Sequence, residues 1–240
     1  MILLSVKGVC KHFNGNKAVD DVSLEINEGE IVGLIGANGA GKTTLFNCLT
    51  GYYRADGGTI EFKGKRIEKM KSHLICRMGI GRTFQIAKPF GDLSVLDNTV
   101  VGAYNHFKNK NEAYAEAKRC VDFVGLTDKS DVDASDLNTG EKRRLELARA
   151  LATRPTLLLL DEVMAGLTPT ESSEMVELIR KIRQSGVTIL MIEHIMPALM
   201  SLSDTVYVLD QGKLICKGTP EEVSENKRVI ESYLGKNSEA

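Results

Sequence analysis

The chain has 240 residues, 42% of them hydrophobic and 26% charged, with a formal net charge of −1. That is enough apolar material for one α/β domain with an inserted subdomain, and the near-neutral balance removes any general electrostatic drive toward nucleic acid. The five cysteines, Cys10, Cys48, Cys76, Cys120 and Cys216, are odd in number and include no C-x-x-C pair, which argues against a disulfide framework or a zinc site and for free, buried thiols in a reducing compartment.

The start, Met-Ile-Leu-Leu followed by Ser5 and Lys7, alternates like a strand and lacks the basic region and long apolar stretch of a signal peptide. Leu3–Val9 and Ala18–Ile26 read as strands joined by a tight turn at Asn14-Gly15-Asn16. Ile31–Ile35 is a short apolar run feeding into the glycine-rich Gly36–Gly41, after which Lys42–Leu49 is helical in character. Thr59–Phe62 and Arg66–Ile67 suggest a second hairpin. From about His73 to Asp136 the pattern becomes polar and helix-compatible, as in Asn111–Val124, and is broken at Pro89, Gly91 and Gly125. This stretch is expected to be an inserted helical subdomain.

Leu157–Leu160, between Pro155 and Asp161-Glu162, suits a parallel strand buried on both faces. Thr168-Pro169-Thr170-Glu171 combines an N-cap, a proline at the first helical position and a glutamate three residues after the cap. Val187–Ile192 is a further strand, Ile195–Leu202 a helix, and Val206–Leu209 with Leu214–Lys217 a hairpin. No run approaches the ~20 apolar residues that span a bilayer, so a membrane role is expected to come through a partner.

Gly36-Ala37-Asn38-Gly39-Ala40-Gly41-Lys42-Thr43 fits G-x-x-x-x-G-K-[ST] in full and lies between strand and helix, the context that gives the pattern its chemistry. Glycines let backbone N–H groups wrap phosphates, and the helix N-terminus adds a favourable dipole. Lys42 is expected to neutralise β- and γ-phosphates and the Thr43 hydroxyl to coordinate Mg²⁺, with Thr44 next in the same first turn. Asp161, at the end of the leucine strand, is expected to hold the Mg²⁺ shell, and Glu162 to polarise the attacking water.

With these segments in this order, the chain resembles the nucleotide-binding domain of ATP-binding-cassette (ABC) proteins along nearly its whole length. The resemblance implies a P-loop NTPase core of RecA type with a mainly parallel sheet, an N-terminal antiparallel β subdomain, and an inserted helical subdomain at about 73–136 of a single 1–240 domain. It implies that Phe13 stacks on adenine, that Gln85 in Gly81-Arg-Thr-Phe-Gln85 reports on Mg²⁺ and the attacking water, and that His194 contacts the γ-phosphate and braces Glu162. His12, His73 and His106 receive no role.

Leu137-Asn138-Thr139-Gly140-Glu141 occupies the place of the family signature, usually Leu-Ser-Gly-Gly-Gln, with only the leucine and second glycine kept. Asn138 retains a hydrogen-bonding side chain, whereas Thr139 limits close backbone approach to a nucleotide. Val163 stands where the family has Pro, and Thr168 where it has Asp.

Gly81–Ile86, Pro89–Asn98, Ala165–Pro169, Ile192–His194 and Gly218–Glu222 together look like the branched-chain (hydrophobic) amino-acid uptake ATPases of bacteria and archaea. This implies a peripheral ATPase on the cytoplasmic face of the cell membrane that uses ATP and Mg²⁺. It pairs with a second ATPase subunit, identical or paralogous, and with integral permease subunits, and depends indirectly on an extracytoplasmic solute-binding protein. Alternatives are the ATPase of a lipopolysaccharide or lipid export system and a soluble nucleotide-dependent switch.

Overall fold

The computed structural model describes residues 1–84 and 89–234. In chain order they form β1 (Ile2–Phe13), β2 (Asn16–Asn27), β3 (Ile31–Ile35), α1 (Lys42–Leu49), β4 (Gly57–Phe62), β5 (Lys65–Arg66), α2 (Ser72–Met78), β6 (Ile80–Arg82), α3 (Val95–Ala103), α4 (Lys110–Phe123), α5 (Thr139–Ala152), β7 (Leu157–Asp161), α6 (Pro169–Gln184), β8 (Thr188–Ile192), α7 (Met196–Leu202), β9 (Thr205–Asp210), β10 (Lys213–Gly218), α8 (Pro220–Ser224) and α9 (Lys227–Leu234). The chain divides into two compact units, Met1–Ile75 with Thr188–Ala240, and Cys76–Val187.

In the first unit an antiparallel sheet runs β2-β1-β4-β5. Leu4 pairs with Ile26 on one side and Phe62 on the other, and all three are fully buried. The β1–β2 turn is made by Asn14 and Gly15, both at positive φ (46° and 86°), as a tight hairpin turn requires. Both strands extend beyond the alternating apolar stretch, because cross-strand pairing continues through Lys11–Val19, His12–Lys17 and Phe13–Asn16. A second layer places β3 parallel to both β8 and β9, with β10 antiparallel to β9. Every residue of β3 and β8 is buried, the pattern of central parallel strands.

The second unit holds β6 parallel to β7, with all five β7 residues buried. Its helices include α3 and α4, whose N-caps Ser94 and Asn109 accept backbone N–H groups. α5 begins at Thr139, where Asn138 and Glu141 close a capping box. Among the described residues no helix is long and apolar enough to cross a membrane.

Candidate functional site

The glycine-rich loop belongs to the first unit, where its shape is set by close backbone contacts. At Gly36 (φ 154°) a Cβ would lie 2.0 Å from the Leu209 carbonyl oxygen, and at Gly41 (φ 103°) it would lie 2.2 Å from that of Ala18. Only glycine fits either position. Ala40 N–H donates to the Ala37 carbonyl (3.0 Å), while the Ala40 carbonyl accepts from Gly212 N–H (3.0 Å). Gly41 is the N-cap of α1 and supplies no side-chain cap, and the first turn carries no acidic residue. The N–H groups of that turn and the helix dipole therefore present a site for an anion.

The Lys42 ammonium folds back over the loop, donating to the Gly36 carbonyl (2.7 Å) and the Ala37 carbonyl (3.1 Å). It is buried, as is Ala40, whereas Asn38, Gly39 and Thr43 are exposed and Ala37 and Thr44 half-buried. The donor set is that of a polyphosphate cradle: positive-φ glycines, an uncapped helix start, one ammonium and an exposed hydroxyl.

Two further predicted residues lie in this unit. Phe13 ends β1 and packs edge-to-face on Tyr53 (centroids 5.1 Å apart), with the Lys11 ammonium 5.3 Å from its ring centre. His194 is exposed in the turn after β8, where its carbonyl accepts from Met196 N–H (3.1 Å).

The carboxylates lie in the second unit. Asp161, fully buried at the end of β7, accepts at Oδ2 from Arg82 Nη2 at 2.9 Å. Its backbone N–H donates to Thr83 Oγ1 (3.2 Å), and Thr83 N–H donates to the Leu159 carbonyl (3.0 Å). The Arg82 guanidinium also sits over the Phe84 ring, 5.1 Å from its centre. Sequence reasoning missed Arg82, although it stands inside Gly81-Arg-Thr-Phe. Glu162, half-buried, adopts φ 53°, a left-handed conformation that costs about 1–3 kcal/mol in a residue with a Cβ and gathers at functional sites.

In the signature segment of the same unit, Leu137 and Gly140 are buried and Asn138 and Thr139 exposed. Asn138 Oδ1 accepts from Glu141 N–H (2.8 Å) and Glu141 Oε2 from Asn138 N–H (3.0 Å). Thr168 is engaged in the same way: its Oγ1 accepts from Glu171 N–H (3.3 Å), and Glu171 Oε2 accepts from Thr168 N–H (2.8 Å). Thr168 N–H and the Thr168 hydroxyl, which also donates to Glu171 Oε2 (2.8 Å), hold the Glu171 carboxyl below its usual range. Two of the departures from the family pattern, Asn138 and Thr168, are thus helix caps. Gln85 lies outside the described residues.

A family model described as ABC transporter matches residues 19–165. The chain belongs to the ABC transporter family. The matched stretch contains the glycine loop, the signature segment, Asp161 and Glu162, and leaves Phe13 and His194 outside. A second family model, described as branched-chain amino acid ATP-binding cassette transporter, matches residues 213–238. The chain is 43% identical to the high-affinity branched-chain amino acid transport ATP-binding protein LivG of Salmonella typhimurium, over 97% of this chain and 98% of that one. It is 40% identical to BraF of Pseudomonas aeruginosa, a protein of the same description, over the same shares. The solved ADP conformation of an ATP-binding cassette of an ABC transporter matches with a TM-score of 0.89 and 29% identity, over 98% of this chain and 99% of that one. The α/β fold expected from the sequence, with a mainly parallel core and an antiparallel N-terminal sheet, is that of the ABC cassettes.

Proposed function

We propose that this chain is the ATP-binding and ATP-hydrolysing subunit of an importer for branched-chain or other hydrophobic amino acids. The observation that carries the reading is the Gly36–Lys42 cradle, whose two crowded glycines, uncapped helix and folded-back ammonium suit a polyphosphate. Relatives described as branched-chain amino acid transport proteins, at 40–43% identity over nearly the whole chain, support the solute class.

In this reading the backbone of Gly36, Ala37, Asn38, Gly39, Ala40 and Gly41 wraps the phosphates, with Thr44 completing the turn. Lys42 exchanges its loop carbonyls for β- and γ-phosphate oxygens. Thr43 and Asp161, with Gln85, are the residues that would hold Mg²⁺, which supplies neutralising charge on those oxygens. Phe13 offers its ring to adenine. Glu162 orients and polarises the attacking water, and His194 braces that carboxylate near the γ-phosphate. Leu137, Asn138, Thr139 and Gly140 face the nucleotide held by a second ATPase subunit, identical or paralogous, so that ATP closes the pair and hydrolysis to ADP and phosphate releases it.

The helical subdomain near Gln85–Leu96 receives a cytoplasmic helix of the integral permease subunits, holding the ATPase on the inner membrane face. A solute-binding protein acts on the far side. The test is Glu162→Gln with permeases co-expressed. ATP binding, ATP-driven pairing and co-purification with two permease subunits are expected to persist while turnover falls at least about a hundredfold. A fully active Glu162→Gln protein removes Glu162 from the role, and absence of nucleotide affinity in folded wild-type protein removes the whole reading.

A further inference from the structure

Three metal-ligating side chains outside the nucleotide machinery converge in the N-terminal sheet. Cys10 Sγ, a His12 ring nitrogen and an Asp20 carboxylate oxygen all lie within 4.8 Å of one another. The topology explains the meeting. Cys10 and His12 are two apart on β1 and share a face of the strand, and Asp20 lies on β2 directly across the hairpin, where Lys11 pairs with Val19. The register of this hairpin shifts between Val9 and Lys11 and again between Lys11 and His12. Such irregularities re-aim side chains, and here they bring three donors to one patch.

From these positions we propose that Cys10, His12 and Asp20 form a site for a single thiophilic divalent cation of the Zn²⁺ class, with the fourth position open to water. The donor set is the one such ions select: one thiolate, one imidazole and one carboxylate, not the all-oxygen shell that Mg²⁺ and Ca²⁺ require. Three protein ligands and one water complete a tetrahedron, in which donor atoms lie roughly 3.5 Å apart at Zn–ligand distances of about 2.0–2.3 Å. Reaching that from 4.8 Å takes about an ångström of side-chain rotation, and His12 is exposed while Cys10 and Asp20 are half-buried.

The surrounding groups are compatible with an ion. Asp21 N–H donates to Cys10 Sγ (3.3 Å), the orienting contact a ligating sulfur takes from its outer shell. Cys10 Sγ itself lies 3.6 Å from the Gly8 carbonyl, a weak contact given up when the thiol loses its proton to solvent on binding. Asp20 is held by Lys17 at 3.3 Å and Lys213 at 3.5 Å, and both lysine side chains are at least 60% exposed, so these pairs yield at little cost. Asp56, bonded to His12 N–H and Lys11, is the other carboxylate beside His12. An ion at this point clips β1 to β2 immediately before Phe13 and the Asn14-Gly15 turn.

The test uses the full chain, reduced and free of nucleotide, titrated with Co²⁺ as a spectroscopic probe and then with Zn²⁺. One equivalent of Co²⁺ is expected to produce a thiolate-to-cobalt charge-transfer band together with visible bands of tetrahedral intensity, and Zn²⁺ to displace both. Cys10→Ser is expected to abolish the charge-transfer band. His12→Ala and Asp20→Asn are each expected to weaken affinity about tenfold or more, while Cys216→Ser leaves it unchanged. Zn²⁺ is expected to raise the melting temperature of the wild type but not of Cys10→Ser, which also reports that the variant folds. No saturable Co²⁺ band, a band that survives Cys10→Ser, or an affinity indifferent to either His12→Ala or Asp20→Asn overturns the site.

Discussion

Replacing Arg82 by Met removes the guanidinium that sits 2.9 Å from Asp161, in a pair whose side chains are 8% and 1% exposed. Breaking a buried ion pair from one side leaves a charge that water cannot reach, at a cost of about 3–5 kcal/mol. Each kcal/mol moves the melting temperature of a chain this long by roughly 2–4 °C, so Arg82→Met is expected to melt about 6–20 °C below wild type. The loss comes from the buried carboxylate deprived of its guanidinium and not from a cavity. Arg82→Met with Asp161→Leu, apolar on both sides, is therefore expected to recover most of the stability, since well-packed apolar groups replace buried pairs at little cost. Circular-dichroism melts and urea titrations of wild type, Arg82→Met, Asp161→Leu and the double variant form a double-mutant cycle. An Arg82→Met melt within about 2 °C of wild type, or a double variant less stable than Arg82→Met, would show that the buried Asp161 carboxylate does not depend on Arg82.

Gly41→Ala places a Cβ 2.2 Å from the Ala18 carbonyl and is expected to weaken binding of a fluorescent ATP analogue by at least about tenfold. Gly39→Ala, with open space but φ 81°, pays only the left-handed backbone cost of about 1–2 kcal/mol, so the contrast separates crowding from strain. Glu116 is buried, which raises its pKa, but hydrogen bonds from Arg119 and Arg154 outweigh that and lower it from 4.5 to about 2. The folded-state pKa is thus depressed: this stabilisation is fully present above about pH 5 and lost as pH falls toward 2, and Glu116→Gln is expected to flatten that part of an acid-denaturation curve. Thr168→Ala removes the N-cap of α6 and is expected to cost about 1 kcal/mol, read as a melting shift of roughly 2–4 °C.

What could be read from the sequence was local. β3, the loop and α1 were legible to the residue because a fully buried strand, a glycine pattern and a helix start are adjacent along the chain. The Thr168–Glu171 box was equally plain. The Arg82–Asp161 pair joins positions 79 apart, and nothing near Arg82 distinguishes it from a surface arginine. The carbonyls of Ala18 and Leu209 that make Gly41 and Gly36 obligatory are likewise remote in sequence. That Asn138 brings a hydrogen-bonding side chain was legible from its type, and the structure adds that its Oδ1 caps its own helix by accepting Glu141 N–H. Of the five cysteines expected to be buried, Cys48 and Cys120 are, while Cys10, Cys76 and Cys216 are half-buried. Their exposure follows from which strand or helix face each occupies, and cysteine spacing alone does not give that.

The backing of the glycine loop also sets when it can form during synthesis. Its wall includes the Leu209 carbonyl, and one of its anchors is Gly212 N–H, both from the last fifth of the chain. A nascent polypeptide halted before Thr205 therefore carries the complete Gly36–Thr43 motif and the Ala18 carbonyl beside it but lacks the Leu209 and Gly212 backbone that completes its backing, and is expected to emerge from the ribosome without affinity for triphosphate. Nucleotide capture by stalled chains of increasing length should switch on abruptly once β9 and the turn after it have cleared the exit tunnel, so that competence to bind fuel certifies a finished translation product.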